Sequence, residues 1–217
     1  SDLPNRRNFA YDDCGHGTHI CGIIGGSGRM SGGRYSGIAP GCNLIMVKVL
    51  DRKGNGYSSD VLAGISWVLE RKEQLGIRIL NISVGACSKR GMSENSALVK
   101  GVNRAWDAGL VVVVAAGNNG PRTMSITTPG ISRKVITVGC SDDDREVLVG
   151  GNRMVDYSGR GPTAACICKP DLVAPGCSVV SCSSRADKYT IKSGTSMSTP
   201  IVSGAVALLL ERFPDMS

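Results

Sequence analysis

Apolar and polar positions along the chain switch between two periods. Leu44-Ile45-Met46-Val47-Lys48-Val49-Leu50 is short and apolar, and Asp51-Arg52-Lys53-Gly54-Asn55-Gly56 closes it. A run of that kind, bounded by turn residues, predicts a buried strand. Ser58-Ser59-Asp60 then opens a helix start. Val61, Leu62, Ile65, Val68 and Leu69 follow at helical spacing, and Gly76 is a natural stop. The next strand is Arg78-Ile79-Leu80-Asn81-Ile82-Ser83-Val84. A helix from about Asn95 to Ala108 follows, with Leu98, Val99, Val102 and Trp106 on one face and Gly109 as its end signal. Leu110-Val111-Val112-Val113-Val114-Ala115-Ala116 is apolar on both faces, the pattern of a strand inside a covered parallel sheet. Val135-Ile136-Thr137-Val138 and Val179-Val180-Ser181 are further strands. Ile201 to Phe213 is apolar nearly all round, which predicts a buried helix. No internal repeat is visible. The β-α-β-α order predicts one α/β domain over residues 1–217, with a mostly parallel sheet and right-handed crossovers. Ligands of such sheets gather at the carboxyl ends of the strands.

Composition narrows the class. The 217 residues are 41% hydrophobic and 20% charged, enough for a core and too apolar for a disordered chain. No stretch approaches about 18 uncharged apolar residues, so no membrane span is expected. The opening Ser1-Asp2-Leu3-Pro4-Asn5-Arg6-Arg7 carries no apolar signal run. The net charge of +7 comes from scattered basic pairs, Arg6-Arg7, Arg52-Lys53, Lys89-Arg90 and Arg133-Lys134. With two Trp, five Tyr and two Phe there is little to stack on bases, so a solvated basic surface is expected and not a nucleic-acid partner. The nine cysteines, at 14, 21, 42, 87, 140, 166, 168, 177 and 182, cannot all pair within one chain. They read as reduced thiols serving as small core residues in a reducing compartment. Cys166-Ile167-Cys168 and Cys177 with Cys182 lack common zinc spacing and have no nearby His, so no metal is expected there.

Three segments carry candidate chemistry. The chain's two histidines, His16 and His19, share Asp12-Asp13-Cys14-Gly15-His16-Gly17-Thr18-His19. Two His three apart near a helix start are neighbours. A zinc pair would normally be spaced by four with a Glu between, and two structural histidines are the plainer account. A His at a helix N-terminus is favoured in its neutral form, which a general base requires. Lys192-Ser193-Gly194-Thr195-Ser196-Met197-Ser198-Thr199-Pro200 brings small hydroxyl residues to the start of a helix, where unpaired N–H groups favour developing negative charge. Helix capping accounts for the same residues, and a nucleophilic serine is the functional reading. Val114-Ala115-Ala116-Gly117-Asn118-Asn119-Gly120-Pro121 ends an apolar strand with Asn118, a side-chain donor for an oxyanion or a member of an ordinary turn.

In this order the three segments resemble the subtilisin-like serine proteases, the subtilases. Gly15-His16-Gly17-Thr18-His19 resembles the family's histidine motif. Ala115-Ala116-Gly117-Asn118 resembles its oxyanion motif, and Gly194-Thr195-Ser196-Met197-Ser198-Thr199-Pro200 its serine motif. Gly37-Ile38-Ala39-Pro40, Val47-Lys48-Val49-Leu50, Asn81-Ile82-Ser83-Val84-Gly85, Tyr157-Ser158-Gly159-Arg160-Gly161-Pro162 and Pro170-Asp171-Leu172-Val173-Ala174-Pro175-Gly176 match as well. The likeness runs from about Asp12 to the C-terminus. It implies a three-layer subtilisin-like fold and a serine endopeptidase acting on peptides or proteins. It implies Ser196 as nucleophile, His16 as general base and Asn118 as oxyanion donor, with His19 structural. Ser83-Val84-Gly85 and Ala115-Ala116-Gly117 resemble the walls of the pocket before the scissile bond. Gly54-Asn55-Gly56 resembles an edge that pairs with extended substrate.

The chain departs from the family in one respect that matters. The family's catalytic aspartate ends an early apolar strand followed by Thr-Gly or Ser-Gly, and no such run precedes His16. Asp12 and Asp13 match acidic residues just before the family's histidine and read as loop or cap residues. The chain also stops soon after the serine helix, so 1–217 reads as a partial catalytic domain, incomplete at both ends. In the family fold the aspartate strand lies between strands resembling 44–50 and 78–84. Its absence would leave buried backbone groups unpaired. The expectation is therefore that an N-terminal segment of the same polypeptide or a second chain completes the sheet, or that the sheet is rearranged, with very low protease activity for this chain alone. Calcium is common in the family, but Gly25 to Tyr35 offers no carboxylates, and the acidic run Asp142-Asp143-Asp144, which could bind a cation weakly, reads rather as a solvated loop, so no cofactor is expected. The unpaired cysteines resemble the cytoplasmic branch. A subtilase fold kept as a catalytically dead binding module is the rival. A nucleotide site at Gly25-Gly26-Ser27-Gly28 fails because a helix, not a strand, precedes it.

Overall fold

The computed structural model describes residues 11–86, 93–185 and 189–216. Arg6-Arg7, Cys87 and Lys89-Arg90 lie outside the described residues. The elements run α1 (His16–Gly25), a 3₁₀ turn (Arg29–Ser31), α2 (Ser58–Leu75), β1 (Ile79–Ile82), α3 (Ala97–Asp107), β2 (Val111–Ala115) and β3 (Ile136–Cys140). They continue with β4 (Val147–Val149), β5 (Asn152–Met154), β6 (Leu172–Ala174), β7 (Val179–Cys182), β8 (Tyr189–Lys192) and α4 (Thr195–Arg212).

Local chemistry sets the helix ends. Asp12 caps α1. Its Oδ1 accepts the N–H groups of Cys14 and Gly15, and its Oδ2 accepts the N–H and hydroxyl of Thr18. Gly15 takes the left-handed φ of 76° that this loop requires. α2 stops at Gly76, also left-handed, where the Ile77 N–H reaches the Lys72 carbonyl and closes the helix. Ser96 caps α3 by accepting the Val99 N–H.

The main sheet has the order β1-β2-β3-β6, all parallel, with Ile79 opposite Val111, Val113 opposite Ile136 and Val138 opposite Leu172. Side chains of β2 alternate between the two faces. Val112 and Val114 pack with Ile65 and Val68 of α2 and Val102 and Ala105 of α3. Val113 packs on the other face with Val138, Ala174 and Val202 of α4. Helix, sheet and helix make the three layers expected, and β2 is buried on both faces as its sequence predicts. β4–β5 and β7–β8 are antiparallel hairpins outside that sheet, and α1 packs against α4 and β7.

Three expectations need correction. Residues 44–50 form no strand; Leu44, Ile45 and Met46 are exposed. The final helix begins at Thr195 and is buried only to about Gly204, with Leu208 and Leu209 exposed. It runs along β1 from Ser83 towards Arg78, whose guanidinium bonds the carbonyls of Pro214 and Met216. An 18-residue helix spans about 27 Å and a four-residue strand about 13 Å, so the last turns have no sheet left to cover. The Asp142–Asp144 run is not simply solvated. Asp142 Oδ1 accepts the N–H groups of Gly176 and Cys177, and Asp143 Oδ2 accepts that of Ser158.

Among the described residues β1 is an edge of the sheet. Between it and residues 42–50 lies an apolar cavity of about 450 Å³, lined by Leu44, Val47, Ile65, Val68, Leu80 and Ile82 and reaching His16.

Candidate active site

Two helix starts and two strand ends converge at the carboxyl edge of the sheet. His16 is the first residue of α1 and Ser196 the second of α4. Ser83 follows β1 and Asn118 follows β2. The Ser196 hydroxyl donates to the Ser83 carbonyl at 2.9 Å, and His16 Nε2 lies 3.3 Å from the same oxygen. The imidazole and the hydroxyl are thus brought together around one carbonyl. That carbonyl can only accept, so Nε2 carries the hydrogen in this arrangement and Nδ1 is bare. Among the described residues nothing hydrogen-bonds Nδ1. Burial, first, and then the charge of Lys192 hold the imidazole below its ordinary value of 6.5, while the Ser83 bond and Asp12 act against them. The ring is accordingly neutral at pH 7.

Asn118 is anchored by its oxygen. The N–H of Thr195 donates to Oδ1 at 2.9 Å and the Thr195 hydroxyl at 3.0 Å. A backbone N–H can only donate, so this atom must be the oxygen and Nδ2 faces the other way. Gly194 makes this possible. At φ 136° and ψ 161° its backbone is one that residues with side chains avoid. A Cβ there would lie 3.3 Å from Asn118 Nδ2, which therefore sits against the start of α4. The Ser196 N–H belongs to the first turn, which has no partner within its own helix.

The wall segments are knitted into the same place. The Gly117 N–H donates to Thr195 Oγ1 at 3.1 Å, and the Thr127 N–H to the Ala116 carbonyl at 2.8 Å. Gly85 and Gly117 both face Thr127, and a Cβ on either would collide with its hydroxyl. Ser83-Val84-Gly85 and Ala115-Ala116-Gly117 thus meet across the Thr127 side chain. Gly54-Asn55-Gly56 is an exposed turn held by Asp51, whose Oδ1 accepts the N–H groups of Lys53 and Asn55. Gly54 sits next to Cys14, in the loop that leads into His16.

Other residues stand apart. His19 has no exposed surface, and its Nε2 lies 3.1 Å from the Val179 carbonyl and 3.2 Å from that of Thr190. It ties α1 to the β7–β8 hairpin. Asp12 spends both oxygens on the cap of α1, and Asp13 pairs with Lys48 at 2.8 Å. No hydrogen bond joins either to His16. Sequence reasoning did not single out Ser83 as a shared acceptor or Thr195 and Thr127 as braces. The Gly-Thr-Ser order was a signal for Thr195; nothing local marked Thr127.

The model of the Subtilase family matches residues 1–217. The chain belongs to the subtilase family. Serine protease AprX of Bacillus subtilis (strain 168) is 41% identical over 234 aligned positions, covering 100% of this chain and 53% of the relative. Subtilisin DY of Bacillus licheniformis is 35% identical over 212, covering 97% and 68%. The solved structure of sphericase superposes with a TM-score of 0.79 at 33% identity, covering 97% of this chain and 68% of that one. The chain thus spans about half the length of AprX. The subtilisin-like fold expected from the motifs is the fold found, with His16 on α1, Asn118 after β2 and Ser196 at the start of α4.

Proposed function

We propose that this chain is the catalytic portion of a serine endopeptidase that cleaves peptide bonds through an acyl-enzyme on Ser196. The observation that carries the reading is the convergence of Ser196 Oγ and His16 Nε2 on the Ser83 carbonyl, at a helix start bordered by Asn118. Ser196 Oγ attacks the substrate carbonyl carbon, and its proton passes to His16 Nε2. Negative charge gathers on the carbonyl oxygen, where Asn118 Nδ2 and the Ser196 N–H donate to it. The C–N bond breaks as His16 returns the proton to the leaving amine. Water then repeats the sequence and frees the acid. The segments Ser83-Val84-Gly85 and Ala115-Ala116-Gly117 border the residue before the scissile bond, and the turn at Gly54-Asn55-Gly56 borders the extended substrate.

His16 needs the other tautomer for this work. A bare Nε2 requires the hydrogen on Nδ1, and a carboxylate there holds it. We assign that carboxylate to an extended segment of the same polypeptide that lies along the outer edge of β1. The cavity beside β1 is apolar, as a buried strand needs, and it leads to His16. The length of AprX beyond the matched span leaves room for such a segment.

The test is mass-mapped labelling with a fluorophosphonate probe, whose fluoride is displaced by an activated serine. In the longer polypeptide, labelling at Ser196 that disappears in His16→Ala supports the peptidase. A longer polypeptide that binds peptides but leaves Ser196 unlabelled is instead a binding module on this fold.

A further inference from the structure

The loops after β3 and β6 meet beneath the start of α4. Cys140 closes β3, opposite Ala174 of β6. Asp142 Oδ1 accepts the N–H of Gly176 at 2.7 Å and that of Cys177 at 3.1 Å, and it lies 3.1 Å from Cys140 Sγ. Tyr157, with no exposed surface, places its hydroxyl 3.2 Å from Cys140 Sγ, 3.2 Å from Cys177 Sγ and 3.3 Å from the Gly176 carbonyl. One donor atom each from Cys140, Asp142 and Cys177 lies within 4.8 Å of the others. A second observation stands beside this cluster. Ser198 Oγ is fully buried and has no hydrogen-bond partner among the described residues. It and Cys140 Sγ press on the same face of Gly176, where a Cβ would collide with both. A glycine cradle, two sulfurs, a carboxylate and an orphaned hydroxyl therefore share one spot. The peptidase reading above uses none of them.

We propose that Cys140, Asp142 and Cys177 bind a thiophilic divalent metal ion of the zinc class. Two sulfurs and one carboxylate suit Zn²⁺ or Cd²⁺ and suit Mg²⁺ or Ca²⁺ poorly. Zinc sits about 2.3 Å from thiolate sulfur and about 2.0–2.2 Å from carboxylate oxygen, spacings that three donors so close together reach with small side-chain rotations. Binding exchanges protons for the ion. Each thiol gives its S–H proton to solvent, two per ion, and the sulfur lone pairs take the metal. Burial pushes the Cys140 thiol up to about 12 and raises that of Cys177, so both enter as thiols at neutral pH. Burial also opposes ionisation of Asp142, yet the Gly176 N–H, the Cys140 thiol and the Cys177 N–H hold its carboxyl below the ordinary range. Asp143 adds negative charge facing Cys177, and Arg160 lies 3.9 Å from Asp143. The buried Tyr157 hydroxyl stays protonated and donates to a thiolate. The Gly176 carbonyl accepts the Gly194 N–H at 2.9 Å, so the ion braces the residue from which the Ser196 helix starts.

Cd²⁺ is the probe, because its thiolate complexes absorb in the ultraviolet. The exposed Cys166 and Cys168 are first replaced by Ser in the full chain. The expected result is a band that saturates at one Cd²⁺ per chain with release of two protons. Cys177→Ser should remove it, and Asp142→Asn should weaken binding about tenfold or more. A band unchanged by Cys140→Ser and Cys177→Ser, or no band at stoichiometric Cd²⁺, would overturn the proposal. A readout on the unaltered chain guards against unfolding of a variant. Zn²⁺ should slow iodoacetamide alkylation of Cys177, mapped by mass spectrometry, and an unchanged rate counts against the site.

Discussion

The Ser83 carbonyl holds two donors that the proposed peptidase chemistry needs elsewhere. Ser196 Oγ–H and His16 Nε2–H both point at it, so the hydroxyl and the imidazole stand side by side without bonding each other. Moving one hydrogen from Nε2 to Nδ1 frees Nε2 to accept from the serine, and only a partner at Nδ1 makes that tautomer the favoured one. Asn118 is different, being already placed by two bonds from Thr195 to its oxygen. Asn118→Asp keeps that acceptor and removes the donor. In the longer polypeptide we expect kcat to fall about 10²–10³-fold or more with little change in KM, a magnitude set by the equivalent donor of another subtilase. Steady-state hydrolysis of a chromogenic peptide measures it. A kcat within a factor of a few of the parent would remove Asn118 from the oxyanion site. That His16, Asn118 and Ser196 gather in one place was legible in the sequence, because each rests in a short motif of distinctive residue types. The role of Ser83 was not, since it acts through a backbone carbonyl that any residue would supply.

Elements place these groups by their ends, and His19 fixes how α1 sits. Its Nε2 bonds to Val179 and Thr190 join the helix that starts at His16 to the β7–β8 hairpin. Burial lowers the His19 imidazole from 6.5 to about 4, against the two carbonyl bonds that would raise it. The unfolded chain therefore binds a proton that the folded chain refuses between those two values. Stability from this source is complete above about pH 6.5 and drains away as pH falls to about 4, roughly 3 kcal/mol in all. His19→Gln retains an N–H donor for both carbonyls and does not titrate. Its urea midpoint should fall less between pH 7.5 and pH 4 than that of the parent; equal acid losses would contradict the assignment. Which elements the sequence revealed depended on length and burial. α2 and α3 repeat their apolar positions over several turns, and β2 is apolar throughout. β4, β5 and β6 have three residues each, too few to establish a period. Residues 44–50 carry a strand's composition, but among the described residues they show a single β-bridge position, at Lys48, and β1 lies across a cavity from them.

At the scale of the molecule, that cavity and the bare Nδ1 are one feature seen from two sides. The parallel sheet ends at β1 among the described residues, and the 450 Å³ beside it opens onto His16. Ser196, Asn118 and the segments beside Thr127 are held in place by α4, β2 and Thr127 itself. The imidazole is assembled in position but not in tautomer. On the proposed reading, Ser196 is in place as nucleophile while His16 still lacks the partner that makes it a base. Hydrolysis of one chromogenic peptide by the 217-residue chain and by the longer polypeptide, each with its Ser196→Ala control, tests this most directly. The predicted result is turnover about 10⁴-fold lower in the 217-residue chain, the scale of loss when a triad imidazole is held in the wrong tautomer. Equal, Ser196-dependent turnover by the two would contradict it.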